Sequence, residues 1–273
     1  MEKARKYILK IFDLLKQREM RILPGHLAFF LVLTIIPLFA LIATLAAALS
    51  ISTDSVRQAI SSSIPKEIAE ILNAIISGNG INFNIIIFYF SAFILASNGA
   101  FSMINASNEI YKVKPKGVIS RRWKAIIMTF ILLLLFLFLL IVPVFGNVCF
   151  KIILKIAKST NSVTIIQKIL GILKYPLVIG ILFINIKLMY IIAPDEEIPS
   201  KTTTKGAIFT TIGWILSTEV FSFYIDTFAK YDIFYGSISN ILVLLLWIYL
   251  LSYIYVLGMA INASDYRKIL DQS

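Results

Sequence analysis

Residues 235–263 read YGSISNILVLLLWIYLLSYIYVLGMAINA, and from Ser239 to Asn262 the run contains no charged side chain. As a helix rising about 1.5 Å per residue, it exceeds the roughly 30 Å of a bilayer's hydrocarbon. The run before it, Ala207–Phe228, is also apolar but holds two acids, Glu219 and Asp226. An acid inside a spanning helix costs at least about 2 kcal/mol in lipid, so it normally faces protein or water. Together the two runs predict helices that cross a membrane.

Working outward, four further apolar runs appear at about 27–49, 84–107, 125–148 and 175–192. With 207–228 and 239–262 they predict an all-α, polytopic chain, a single six-span membrane domain over 1–273. Composition agrees. The 273 residues are 59% hydrophobic and 15% charged, with a mean hydropathy of +0.87. A soluble domain is about one quarter charged and under half apolar.

The net charge is +11. Its Lys and Arg collect beside the spans, where they hold orientation, so no nucleic-acid partner is expected. The segments assigned to one side carry 17 of these residues against 8 on the other, which predicts cytoplasmic N- and C-termini. Cys149 and His26 are the only residues of their types. They exclude an internal disulfide and a Cys-based cluster, and argue against a His-based metal site. No catalytic residue, metal or cofactor is expected.

Residues 1–23 are expected to form a basic amphipathic helix. Ile8, Ile11, Phe12 and Leu15 recur at i, i+3, i+4 and i+7, the pattern of a helix lying on an anionic membrane surface or packing on the protein's own loops. The basic region is too long for a signal peptide. Pro37 lies inside span one and frees the carbonyl of Leu33. Interfacial helices are expected within 51–81 and over 150–173.

The most ordered polar signal is in span two. At 100° per residue, Asn84, Ser91, Asn98, Ser102, Asn105 and Glu109 fall in a stripe about 60° wide. Such a stripe is either interhelical glue or the wall of a polar cavity. In span five, Thr211, Thr218, Glu219, Ser222 and Asp226 share a face about 100° wide. Lys187 in span four is a candidate charge partner for Glu219. The expected cavity lies between spans two, four and five. Its lining is Glu219, Asn98, Ser102, Asn105, Lys187, Thr218, Ser222 and Asp226, with spans two and five facing each other.

Three patches resemble the YihY/BrkB family of bacterial inner-membrane proteins. The first is His26-Leu-Ala-Phe-Phe-Leu-Val-Leu-Thr-Ile-Ile-Pro37. The second is Ser97-Asn-Gly99 with Asn105, Ile110-Tyr111 and Arg122. The third is Tyr235-Gly-Ser with Leu244-Leu-Leu-Trp-Ile-Tyr249, Gly258 and Asn262-Ala263; Gly206-Ala207 also fits. The family's last span often ends G-A-E-L-N-A, whereas this chain reads Gly258-Met-Ala-Ile-Asn-Ala263, with Ala260 in place of the acid. The resemblance implies six spans and a bacterial plasma-membrane location, but no settled activity, since members carry labels from ribonuclease to serum-resistance factor.

Three functions compete. A transporter or translocase of lipid or another amphiphile would use the polar cavity. A non-transporting scaffold or envelope-integrity factor would recruit partners through the basic N-terminus and loops. A ribonuclease would need converging His, Asp and Glu, whereas Asp195, Glu196 and Glu197 are merely adjacent. The expected partners are membrane lipids and an amphiphilic substrate, with homo-oligomerisation left open.

Overall fold

The computed structural model describes residues 11–48, 85–134, 160–227 and 239–271, with isolated positions at 9, 54, 57, 58, 61, 66, 69 and 70. All elements among the described residues are helical. They are α1 (11–15), α2 (Arg18–Ala48), α3 (Ile85–Tyr111), α4 (118–134), α5 (Thr160–Ile192), α6 (Ser200–Thr227) and α7 (Ser239–Leu270). The stretches Ser200–Ile225 and Ser239–Leu270 are 26 and 32 residues of sustained hydropathy. At about 1.5 Å per residue both exceed the roughly 30 Å of a hydrocarbon core.

Two boundaries differ from the expectation. The N-terminal helix does not run to residue 23. The chain turns at Lys16–Gln17, through bonds from the Gln17 amide to the Leu14 carbonyl and from the Met20 amide to the Gln17 carbonyl. Helix α2 then continues through Pro24-Gly25. A proline removes one backbone donor, and the apolar residues on either side still gain by staying helical. Likewise the amphipathic excursion over 150–173 is not separate from span four. From Thr160 onward it belongs to one 33-residue helix with Pro176 inside it. The remainder of that excursion, and most of the interfacial helix expected over 51–81, lie outside the described residues, as do the side chains of Pro37 and Asp226.

Helix α7 is the central element. It packs along α2 and α6 and more lightly against α3; α3 packs along α2, and α5 along α6. Its buried residues run from Ser239 to Tyr266, and Tyr255–Ala263 are buried without interruption. A helix buried on all sides over that length belongs inside a bundle.

The α6–α7 crossing depends on two glycines. A Cβ on Gly206 would lie 2.1 Å from the Gly258 carbonyl oxygen, and one on Gly258 would lie 2.0 Å from Thr210 Oγ1. Small residues bring the backbones together, the usual packing device inside membranes. The Gly206 amide then donates to Asn262 Oδ1 at 2.7 Å. The fully buried Tyr190 of α5 completes the joint. Its hydroxyl donates to the Tyr255 carbonyl and shares a bond with Thr210 Oγ1, both at 2.7 Å. Trp214 Nε1 donates to the Leu251 carbonyl at 2.9 Å.

A second joint fastens α2 to α3. The Gly99 amide donates to Thr34 Oγ1 at 3.0 Å, and a Cβ at Gly99 would lie 2.9 Å from that oxygen. Ser102 Oγ is 3.2 Å from His26 Nδ1 on the same interface.

Outward faces are apolar. Ile208, Ile212, Leu216, Val220 and Phe223 of α6, Phe29 and Leu33 of α2, and Ile241 and Leu245 of α7 are all exposed. A water-soluble monomer rarely shows so much contiguous apolar surface; a helix against lipid requires it.

Candidate functional site

The described polar residues of α3 do not face α6, and Asn84 lies outside the described residues. Helix α7 lies between them. Asn98 and Asn105 instead meet the first turns of α4. Arg122 Nη1 donates to Asn98 Oδ1 at 2.7 Å and Nη2 to the Ile94 carbonyl at 3.0 Å. Arg121 Nη1 donates to Asn105 Oδ1, and Nε to the Lys116 carbonyl at 2.9 Å. Both guanidinium carbons approach the Phe101 ring, at 5.5 and 6.0 Å from its centroid. Ser102 turns to His26 of α2. The stripe is therefore divided between two neighbours, α2 and α4.

Glu219 and Lys187 are not joined to it among the described residues. Glu219 is exposed. At 100° per residue it lies about 180° around α6 from Thr210, which faces α7. It shares the outward face of Ile212, Leu216 and Val220. Thr218 instead accepts a hydrogen bond from Trp247 Nε1 at 3.3 Å. Lys187 and Ser222 are half-buried, and no hydrogen bond or ion pair links Lys187 to Glu219 among the described residues.

Unfilled hydrogen-bonding capacity lies elsewhere. Ser107 Oγ and Tyr111 Oη on α3, and Ser252 Oγ, Tyr255 Oη and Asn262 Nδ2 on α7, are buried without a hydrogen-bond partner. The rings of Tyr190 and Tyr255 lie 4.8 Å apart between centroids. On α7, Ser252, Tyr255 and Asn262 fall within about 80°. Asn262 and Tyr255 sit on the face of α7 that meets α5 and α6, whereas Ser107 and Tyr111 belong to α3. A buried, unsatisfied polar group costs about 1–3 kcal/mol.

The end of α3 is tied. Asp195, buried in the turn between α5 and α6, accepts from Asn108 Nδ2 at 2.7 Å and from the Lys116 amide at 3.0 Å. Its own amide donates to Asn108 Oδ1 at 2.8 Å. Lys124 Nζ is 3.1 Å from its other oxygen and also donates to the Pro194 carbonyl. Burial alone would lift the Asp195 carboxyl; the Lys116 amide, the Lys124 ammonium and the Asn108 amide outweigh it and hold the group below its usual range. Arg267 adds a bond of 2.7 Å to the Ile110 carbonyl. Helix α3 stops here because Lys112 adopts a left-handed φ of 58°, letting the Val113 amide reach back to the Asn108 carbonyl at 2.9 Å, a Schellman-like ending.

Beside the knot is a cleft of about 160 Å³ between α1 and α7, lined by Leu14, Gln17, Ile110, Ala260, Arg267 and Asp271 among others. Ala260, at the position where the resembling family often carries an acid, contributes a methyl group to its wall.

Sequence reasoning missed five participants. Arg121 and Arg122 read as orienting charges, although the choice of Arg over Lys at the mouth of a span was a usable signal. Asp195 read as one of three acids merely adjacent in sequence. The phenols of Tyr111 and Tyr255 carried no signal, because a tyrosine in a span reads as packing.

The profile of the family described as Virulence factor BrkB matches residues 11–271. A protein of Bacillus subtilis (strain 168) named as ribonuclease-like, YfkH, is 30% identical over 270 residues, covering 96% of both chains. The UPF0761 membrane protein PSHAa0171 of Pseudoalteromonas translucida (strain TAC 125) is 30% identical over 84 residues, 31% of this chain and 28% of its own. The UPF0761 membrane protein Ent638_4092 of Enterobacter sp. (strain 638) is 31% identical over 108 residues, 39% of this chain and 36% of its own. No solved structure matches. Among the described residues no group of three or more His, Cys, Asp or Glu could hold a metal ion. The match across nearly the whole chain, with the motifs of spans one, two and six, makes this an integral membrane protein of the BrkB (YihY/BrkB) family.

Proposed function

We propose that the protein is a six-span plasma-membrane translocase for a lipid or similar amphiphile, with both termini in the cytoplasm. The observation that carries this reading is the set of buried hydroxyl and amide groups on α3 and α7 that have no hydrogen-bond partner. A polar headgroup passing along these helices would satisfy them in turn, while its chains stay against the apolar outer faces. The Asp195 knot would close the path at the end nearest the termini and part to admit substrate. Asn98 and Asn105, held by Arg122 and Arg121, and Ser102, turned to His26, would stand outside that path. Glu219 would contribute only from the lipid-facing surface of α6.

The test separates a transport path from a structural polar core. Purified protein is reconstituted into phospholipid vesicles carrying a headgroup-labelled fluorescent phospholipid. Exposure of inner-leaflet label to dithionite reports translocation. Tyr255→Phe and Ser107→Ala remove orphan hydroxyls, so they should leave thermal stability equal or raised and slow translocation several-fold. Vesicles with folded wild-type protein that match protein-free vesicles refute the proposal. So do variants that lose stability while translocating normally.

A further inference from the structure

We propose that the cleft between α1 and the last turns of α7 binds the phosphate group of a phosphate ester. The site stands apart from the translocation path and does not rest on it.

The first argument is the wall. Ala260, Ala263, Ser264, Arg267, Lys268 and Asp271 line the cleft. They recur at i, i+3, i+4, i+7, i+8 and i+11, so they form one face of α7. Gln17, in the turn after α1, lines it from the other side. That turn is fixed at both ends: the Gln17 amide donates to the Leu14 carbonyl, and the Gln17 carbonyl accepts from the Met20 amide, both at 3.1 Å. The cleft holds about 160 Å³. A single water needs about 10–15 Å³ of such space, so a phosphate and the first atoms bonded to it can enter.

The second argument is the donor set. A cation in the last turn of a helix normally complements the helix dipole from the surface. Lys268 is exposed in that way, but Arg267 is half-buried and reaches another helix. Its Nη2 donates to the Ile110 carbonyl of α3 at 2.7 Å. That bond uses one of the five N–H donors of the guanidinium and anchors the rest of the fork in a residue that lines the cleft. Ser264 and Gln17, both half-buried, add a hydroxyl and an amide to the same space. An anchored guanidinium beside an ammonium, a hydroxyl and an amide suits an oxyanion.

The third argument selects the anion. The donors come from two elements, α7 and the turn after α1. A carboxylate accepts mainly in its own plane, whereas a phosphate ester offers strong acceptor oxygens in three dimensions. Leu14, Ile110 and Ala260 supply apolar wall, which suits the carbon side of an ester and gives nothing to a bare ion. Asp271 stands on the same wall and opposes an anion, so its removal should tighten binding. A phospholipid headgroup and a soluble phosphorylated metabolite share this chemistry.

Isothermal titration calorimetry on the full chain, purified in mild detergent and delipidated, tests the site. The probes are dihexanoyl phosphatidylglycerol, glycerol 3-phosphate and dihexanoylglycerol, which has no phosphate. At least one phosphate probe should bind at a single saturable site, and dihexanoylglycerol should not. Binding of glycerol 3-phosphate assigns the site to a soluble ester; binding of the lipid alone assigns it to a headgroup. Arg267→Lys keeps the charge but removes the fork, and should weaken binding about tenfold. Asp271→Asn, at an exposed position, should tighten it about threefold by removing a like charge; a merely structural Arg267 would not produce that gain, and this variant serves if Arg267→Lys does not fold. Ala260→Leu fills the cleft with uncharged bulk and should abolish binding. Lys201→Gln, exposed on α6, should leave it unchanged. No binding of either phosphate probe, equal binding of dihexanoylglycerol, or affinity unchanged in Arg267→Lys and Asp271→Asn would overturn the assignment.

Discussion

Replacing Gly206 with alanine isolates the joint on which the α6–α7 unit depends. The added Cβ would lie 2.1 Å from the Gly258 carbonyl oxygen and 2.5 Å from the Asn262 amide. Ordinary contact begins near 3.4 Å, so the backbones must part by about 1.3 Å, the difference between 3.4 and 2.1. No rotamer change relieves this, because the nearest atom is main chain. Overpacking of this kind costs about 1–3 kcal/mol. The displacement also stretches the Gly206 amide bond to Asn262, now 2.7 Å, worth about 1 kcal/mol. The total is roughly 3 kcal/mol, on the order of a 10 °C fall in melting temperature. The assay is the fraction of monodisperse protein left after heating in detergent, read by fluorescence-detected size exclusion. Gly180→Ala is the control, since a Cβ there meets nothing within 4 Å. It should hold or raise the midpoint by up to about 1 kcal/mol of helix propensity. If Gly206→Ala melts with Gly180→Ala, the close crossing is not what holds these helices.

Asp195→Asn should destabilise by about 3 kcal/mol at neutral pH, because Lys124 is left half-sealed without its anion. The Asp195 carboxyl is depressed in the folded state, so its stabilisation is complete above the unfolded value of about 3.9 and is lost as pH falls through the lower folded pKa. Wild-type melting temperature should therefore drop in that acid window while the variant's changes less; parallel pH profiles would refute the assignment. Lys112→Gly should raise stability by about 1 kcal/mol by relieving the left-handed φ of 58°, measured by the same heating assay, and a fall would show that the lysine side chain matters more than the backbone. Glu219→Gln should leave stability within about 0.5 kcal/mol and vesicle translocation unchanged, given its outward position. Loss of translocation with normal folding would return Glu219 to the path.

The class of fold was legible because hydrocarbon thickness sets a length that composition must meet. Ser239–Asn262 meets it without a charge, and α7 occupies that run. The stripe on α3 was legible because helical periodicity places Asn98, Ser102 and Asn105 on one face whatever lies opposite. The opposite wall was not. Rotation of α6 about its own axis is decided by where Gly206 and Gly258 let it touch α7, and that contact sends Glu219 outward. A polar face therefore predicted a polar neighbour without saying which.

The same limit applies to Arg121, Arg122 and Asp195. Their charges were visible, and charge near a span is correctly read as orientation. Their partners lie on other segments: Asn98 and Asn105 on the helix before, Asn108 and Lys124 some 70 to 87 residues away in sequence. Local physics, meaning apolar length, helical period and charge bias, was determined by the sequence alone, and it established an all-helical membrane protein. Only the tertiary structure decided which polar groups are satisfied and which are left without a partner, because hydrogen bonding across helices depends on their rotation and depth, which no single helix carries.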